Sequence, residues 1–447
     1  MDKLTGIFNQ NPYYRIPGFV FPDIDLTKRF IFDDIINLLD SNFIISLSGL
    51  RRTGKTTILK QCINHLLSKS ISPESILYYE FDEINNDLEN VLELYFNNVL
   101  RKDLYSVKCY IFLDELQYVD YWQVILKRYY DINPKIQFLI SGSSSLYNKN
   151  IKESLTGRIL NFNIKTLSFH EYLFFKFGKK YQFTGFIIND DFLKTLSDYN
   201  DIVLYKNELN EYLSYGEFPQ YFRNNNAALL TQYYKDSILK NIFTKDINLF
   251  NVNNIKSFYE FFRLLTRTTA QEINVSGISR DIQINSRTLK RYQDIMEKMF
   301  LSEFLYKYEK SFAKQAKSFK KVFVKSINLI KAELGFYFDT LEKSVYGHII
   351  ETFVYNELAR SDTYEIYYYN NTKTKKEIDF ILVKDNCILP VEVKTSDKIR
   401  QSTLNNLFSF IRDKNLKRGI VFYGGDKVYT EKMSDNVTIE CIPYYFI

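Results

Sequence analysis

The chain has 447 residues, 45% of them hydrophobic and 25% charged, which are globular proportions and exclude a disordered tail or a collagen-like repeat. Lys and Arg outnumber Asp and Glu by 59 to 53, and this net charge of +6 permits a polyanionic partner without demanding one. Four scattered cysteines (Cys62, Cys109, Cys387, Cys441) make no CxxC pair and there are only 3 histidines, so nothing suggests a zinc module, a disulfide scaffold or a histidine-rich metal site. At about one to two hundred residues per domain, two to four domains are expected. The opening MDKLTGIFNQNPYYRI lacks the apolar core of a leader, and no run approaches the roughly eighteen apolar residues of a membrane span. The expectation is a cytoplasmic protein with no membrane partner.

The strand NFIISLS leads into GLRRTGKTT, Gly49 to Thr57, which fits G-x-x-x-x-G-K-[ST], the Walker A pattern. Gly49 and Gly54 let the loop curl so that its N–H groups face phosphates, and the helix that follows offers its positive end. Lys55 is placed to reach the β- and γ-phosphates, Thr56 to ligate Mg²⁺, and Thr57 completes the loop. The helix TTILKQCINHLL carries Leu59, Ile63, Leu66 and Leu67 on one face.

Further on, CYIFLDE reads as a buried parallel strand ending in Asp114 and Glu115. Asp114 is the candidate Walker B aspartate, holding Mg²⁺ through water or Thr56, and Glu115 is placed to orient and deprotonate the attacking water. The strand IQFLISGSS ends near Ser143, either a sensor of the γ-phosphate or part of a plain Gly-Ser turn. Arg158, in SLTGRILNFNI, precedes a fifth strand. It is either a surface arginine or a stabiliser of transition-state charge, in cis or from a neighbouring subunit.

In this order, GLRRTGKTT, FLDELQYVDYW, FLISGSS, LTGR and LSFHEYL resemble one family of prokaryotic AAA-type P-loop ATPases. The resemblance runs over nearly the whole chain. It implies a P-loop ATPase core over residues 1–166, a helical extension over 167–254, a winged helix over 255–335 and a nuclease-like domain over 336–447. ATP with Mg²⁺, rather than GTP, is likewise implied by the resemblance. A homo-oligomer is compatible with it.

Residues 167–250 read as a helical lid broken at YGEFP, with no catalytic constellation. SFYEFFRLL, NVSGISRDIQI and NSRTLKRYQDIMEKMF then have the rhythm of a helix-turn-helix capped at Asn285 or Ser286. Leu289, Tyr292, Met296 and Met299 form its buried stripe, while Arg287, Lys290, Arg291 and Lys298 form a basic face. LSEFLYKY and KKVFVKS suggest a wing joined by a hairpin bearing Lys310, Lys314, Lys317, Lys320 and Lys321. Such a surface suits the DNA backbone, and the alternative is a packing module with solvated lysines.

From Tyr346 the pattern is helix, strands YEIYYYN, KEIDFILV and ILPVEVK, helix, and two closing strands. This αβββαβ order resembles the PD-(D/E)xK, restriction-endonuclease-like core, with Asp379, Glu392 and Lys394 as its signature. A hairpin turning at Asp385-Asn386 sets Asp379 opposite Glu392 and Glu377 opposite Lys394, with an apolar opposite face that a one-residue slip would destroy. Two opposed carboxylates about 5 Å apart repel unless one stays protonated or a cation neutralises them, and Mg²⁺ or Mn²⁺ is the economical answer. Lys394 would orient water or stabilise a pentavalent phosphorane, and Glu351 matches the acidic helix position of that family, where it would support the metal ligands from behind. The alternative is a fold used for binding alone, with Glu377–Lys394 as a plain ion pair.

Overall fold

The computed structural model describes residues 3–22, 27–143, 155–178 and 202–447, apart from positions 282, 310, 362, 372, 374, 375 and 386. The chain divides into two compact units, 1–166 and 167–447. Among the described residues, no helix is long and apolar enough to cross a membrane.

In the first unit, strands β1 (Ile44–Ser48), β2 (Ile76–Glu80), β3 (Cys109–Asp114), β4 (Ile136–Ser141) and β5 (Ile159–Asn163) form one sheet in the order β2-β3-β4-β1-β5. Every pairing is parallel. Strands β1, β3 and β4 are buried along their whole length, which is why they read as unbroken apolar runs. Alternate side chains feed two cores. Ile45, Leu47 and Phe112 pack with Ile58, Leu59 and Ile63 of the helix Lys55–Ser68, while Ile111, Leu113 and Phe138 pack with Trp122 and Leu126 of the helix Trp122–Ile132. Because the strands run parallel, the carboxyl ends of β1, β3 and β4 share one edge, and the residues of interest lie there.

In the second unit, the described residues from Phe169 to Phe250 are mostly helical, with breaks at 217–218 and 223–226. The YGEFP break has a structural use. Glu217 is buried and accepts the main-chain N–H groups of Ile327 (3.1 Å) and Asn328 (2.9 Å) and the Ser326 hydroxyl (2.5 Å), so it caps the helix Ile327–Leu334. A Cβ on Gly216 would lie 2.6 Å from the Tyr172 ring, so the corner admits no side chain there.

The helices Ile255–Arg267, Val275–Asp281 and Ser286–Lys298 accompany an antiparallel sheet of β6 (Gln271–Ile273), β7 (Ser302–Leu305) and β8 (Lys320–Val324), ordered β6-β8-β7. Asn285 caps Ser286–Lys298 by accepting the Thr288 N–H at 2.8 Å, and Leu289, Tyr292, Met296 and Met299 are buried. Two features depart from the sequence reading. Strand β6 was not anticipated, and a short helix, Phe312–Lys317, stands between β7 and β8 where a bare hairpin was expected. Lys310 lies outside the described residues.

The C-terminal part packs the helices Lys343–Leu358 and Gln401–Asp413 against a six-stranded sheet, β9 (Glu365–Asn371), β10 (Lys376–Lys384), β11 (Cys387–Lys394), β12 (Arg418–Tyr423), β13 (Tyr429–Lys432) and β14 (Thr438–Pro443), in the order β13-β14-β12-β11-β10-β9. The β10–β11 hairpin has the register inferred from its hydrophobic pattern, from Phe380↔Val391 to Lys384↔Cys387. Asp385 turns the chain in the left-handed region at φ 46°, while Asn386 lies outside the described residues. Strand β13, an antiparallel edge on β14, was not anticipated.

Candidate nucleotide site and carboxylate cluster

The loop after β1 is shaped by its glycines. Gly49 has φ 146° and passes so close beneath the Ile164 carbonyl that a Cβ would lie 2.3 Å from its oxygen. Gly54, at φ 98°, turns the chain into the helix Lys55–Ser68. That helix offers first-turn N–H groups that have no intrahelical acceptor. Lys55 is buried, and its ammonium donates to the carbonyls of Gly49 (3.0 Å) and Leu50 (2.8 Å), where phosphate oxygens would compete for it. Thr56 and Thr57 follow in the same turn, both half-buried.

Asp114, the last residue of β3, is 1% exposed. It accepts the Tyr78 hydroxyl at 3.1 Å and a short hydrogen bond from the Ser141 hydroxyl, and it shares a hydrogen bond with the Thr56 side chain. Burial, with the charge of Glu115 beside it, pushes the Asp114 carboxyl above its ordinary range against the pull of these donors. The oxygen donors of Asp114 and the Thr56 hydroxyl, in contact at this edge, suit a hard divalent ion, so the donor set fits Mg²⁺ held by Thr56 and Asp114. Glu115 sits at φ 54° and opens the turn Leu116–Tyr118. Gln117, in that turn, donates a short hydrogen bond to Glu115 and accepts the main-chain N–H of Ser143 at 3.1 Å.

The structure thus gathers Gly49, Gly54, Lys55, Thr56, Asp114, Glu115 and Ser143 at one edge of the sheet. Arg158 lies elsewhere. Its carbonyl accepts the N–H of Ile44 at 2.8 Å, so it stands at the start of β1 and β5, a whole strand away from the loop. At about 3.3 Å per residue, that separation is roughly 15 Å. Its guanidinium pairs with Asp131 at 3.0 Å and is only one-third exposed.

Four residues of this site escaped the sequence reading. Ser141 and Tyr78 hold Asp114, Gln117 holds Glu115, and buried Arg29 ties the Thr53 carbonyl (2.8 Å) to that of Lys165 (3.1 Å). Ser141 and Gln117 had a faint signal, as polar residues at or just after strand ends. Arg29, 24 residues before Thr53, had none.

In the second unit, Arg287 and Lys290 are exposed on the helix Ser286–Lys298. Arg291 is not a free basic residue: its guanidinium donates to the carbonyls of Phe250 (3.0 Å) and Asn251 (2.8 Å) and closes the turn Asp246–Phe250. Lys314 and Lys317 are exposed, and Lys320 lies over the Tyr306 ring at 4.1 Å. Lys321, expected on the wing, is instead 3% exposed and belongs to the carboxylate cluster. The alternation of β8 explains this, because Lys321 shares a face with Phe323, which stacks on Tyr355 of the helix Lys343–Leu358 at 4.1 Å.

In that cluster, Lys321 Nζ lies 2.5 Å from Glu351 and 3.8 Å from Glu377. Lys394 Nζ lies 2.5 Å from Glu392 and 3.3 Å from Asp379, so its partners are these two and not the expected Glu377. Asp379 also accepts the Val393 N–H at 2.8 Å. Burial raises the Asp379 carboxyl, but Lys394 and Lys321 outweigh it and hold the group below its ordinary range. Burial and then the neighbouring Asp379 push Glu392 well up, and burial pushes Glu351 up to about 8 against the pull of Lys321. Among the described residues, no three His, Cys, Asp or Glu side chains are grouped to hold a metal ion. With ammonium groups already on Glu351, Asp379 and Glu392, this donor set does not fit a divalent cation.

Residues 41–173 match the family described as AAA domain, while residues 206–336 and 346–445 match two families described as domains of unknown function, DUF8612 and DUF4143. An uncharacterized protein of Methanocaldococcus jannaschii is 29% identical over 311 residues, covering 67% of this chain but only 63% of its own length. An uncharacterized protein of Haemophilus influenzae is 26% identical over 386 residues, 82% of this chain and 86% of that protein. Among solved structures, the Thermotoga maritima RuvB Holliday junction branch migration motor is 14% identical over 62% of this chain and 89% of its own, with a TM-score of 0.27. At that score the likeness adds nothing to the family match.

Proposed function

We propose that the AAA-type domain of residues 41–173 binds ATP with Mg²⁺ and hydrolyses it. The observation that carries this reading is the convergence of Lys55, Thr56, Asp114 and Glu115 on one sheet edge, with Gln117 and Ser143 bridged beside them. Lys55 and the loop N–H groups bind the phosphates, and Thr56 and Asp114 would hold the metal, which supplies neutralising charge on the phosphate oxygens. Glu115 orients a water and takes its proton as the water oxygen bonds to the γ-phosphorus. The bond from that phosphorus to the bridging oxygen breaks, leaving ADP and phosphate. Given its distance from the loop of its own chain, Arg158 acts, if at all, on the site of a neighbouring subunit. The test is ATP turnover by the parent and by Lys55→Ala: turnover lost in the variant supports the reading, and equal turnover overturns it.

DNA is the proposed partner of the second unit, through a winged helix formed by residues 255–335. Arg287 and Lys290, exposed on the third helix of a three-helix, three-strand arrangement, and the exposed Lys314 and Lys317 support it. For the C-terminal part, a nuclease-like fold, two readings stand: metal-dependent cleavage at Asp379, Glu392 and Lys394, or binding alone, with ATP setting a conformation. The ammonium partners of the carboxylates favour binding. Cleavage of linear, nicked and branched DNA with Mg²⁺ or Mn²⁺, with and without ATP, compared with Asp379→Ala, separates the two.

A further inference from the structure

We propose that Lys321 is the resident counter-cation of the C-terminal carboxylate cluster and closes that cluster to divalent metal ions. The inference rests on the reading of this part as a binding module, and it goes further by naming the residue that excludes the ion.

Glu351 comes from the helix Lys343–Leu358, Glu377 and Asp379 from β10, and Glu392 from β11. Lys394 is ion-paired with Asp379 and Glu392; its charge also reaches Glu351, but among the described residues it makes no ion pair with Glu351 or Glu377. The second ammonium arrives from a different sheet. Lys321 lies on β8, which pairs with β6 and β7, and it reaches across to Glu351 at 2.5 Å and Glu377 at 3.8 Å. Its position is set by more than charge. Two residues on, Phe323 is held between Tyr355 at 4.1 Å and Phe380 at 5.6 Å, and the Asn356 amide donates to the Val324 carbonyl at 3.1 Å. On β6, the Gln271 amide meets His348 Nδ1 at 3.1 Å, one helical turn before Glu351. The small sheet is therefore seated on this helix by several contacts, and the ammonium is delivered with it.

The chemistry works in both directions. A buried ammonium is costly unless carboxylates compensate it, so Lys321 needs Glu351 and its neighbours. A hard divalent ion needs several oxygens from one cluster at 2.0 to about 2.6 Å, and an ammonium already on Glu351 takes that oxygen and repels the ion. The cluster then serves as a joint between the β6-β8-β7 sheet and the C-terminal sheet.

The experiment measures Mn²⁺ uptake, by the electron paramagnetic resonance signal of free Mn²⁺, in nucleotide-free parent, Asp379→Asn, Lys321→Gln and the double variant. The expected result is equal uptake by the parent and Asp379→Asn, one further Mn²⁺ per chain in Lys321→Gln, and loss of that ion in the double variant. A Mn²⁺ in the parent that Asp379→Asn removes overturns the proposal, as does a folded Lys321→Gln chain that takes up no additional ion. Circular dichroism shows whether Lys321→Gln folds. If it does not, the comparison of parent with Asp379→Asn decides alone. Metal uptake and DNA cleavage are read separately, so an error in the proposal and an error in the binding-module reading give different results.

Discussion

Glu115 is held by Gln117, two residues further on, whose amide donates to the carboxylate while its oxygen accepts the N–H of Ser143. The side chain proposed to act on water is thereby tied to the end of β4. Gln117→Ala should lower kcat for ATP by about tenfold with KM nearly unchanged, because it loosens Glu115 without touching phosphate binding. Steady-state kinetics check this, and a rise in KM alone would assign Gln117 to nucleotide binding instead.

Glu115→Gln should keep ATP affinity and lower turnover by about a hundredfold or more, the usual worth of a positioned general base. Equilibrium binding of a fluorescent ATP analogue beside a phosphate-release assay separates the two effects. Loss of binding would make Glu115 a structural residue.

Arg158 stands at the far end of β1 from Gly49. Arg158→Ala and Lys55→Ala should each be inactive alone and recover part of the turnover when mixed, since an intact loop then meets an intact arginine from another subunit. No recovery on mixing two folded variants rules out action in trans, and full activity of Arg158→Ala alone makes it a surface residue paired with Asp131.

Arg287 and Lys290 differ from Arg291 in what they touch. Reversing the charge of the first two should weaken duplex DNA binding and reduce the salt slope by about 2, given roughly 0.9 per phosphate contact. Arg291→Ala should leave that slope alone and cost about 1 kcal/mol of stability, because it removes donors from the carbonyls of Phe250 and Asn251. Filter binding across a salt series and thermal melts distinguish the two classes.

Burial pushes Glu217 from the ordinary glutamate value of 4.5 up to about 7, against the donors of Ser326, Asn328 and Ile327. Below the unfolded value the carboxyl is protonated in both states. As pH rises above it, the unfolded chain ionises first, so folding stability falls until the folded group also ionises near 7. The loss is about 3 kcal/mol at roughly 1.4 kcal/mol per unit. Relative to Glu217→Gln, the parent should therefore lose about that much unfolding free energy between pH 4.5 and 8, and a pH-independent difference would show that Glu217 titrates alike in the folded and unfolded chain, so that burial does not raise it.

The loop Gly49–Thr57 and the strand ending at Asp114-Glu115 were legible from residue order because their chemistry is local: a few consecutive residues set the curl of the backbone, and an apolar run marks a strand buried on both faces. The β10–β11 register was legible for a related reason. Its alternation admits one pairing with an apolar face, and Phe380↔Val391 is that pairing. Lys321 was misplaced as an exposed wing residue, whereas Arg291 is exposed as expected but has carbonyl partners that its basic surroundings did not disclose. Whether a lysine is solvated or buried among carboxylates depends on which segments face it, and Glu351 is 30 residues away along the chain. Phe323 packing on Tyr355 turns Lys321 inward, and the nearness of Phe250 engages Arg291. Gln117 and Arg29 likewise gained their roles only when β4 and β5 came alongside β1. Local backbone geometry and periodicity follow from neighbouring residues, whereas the partner of a long charged side chain is chosen by packing between elements far apart in the chain.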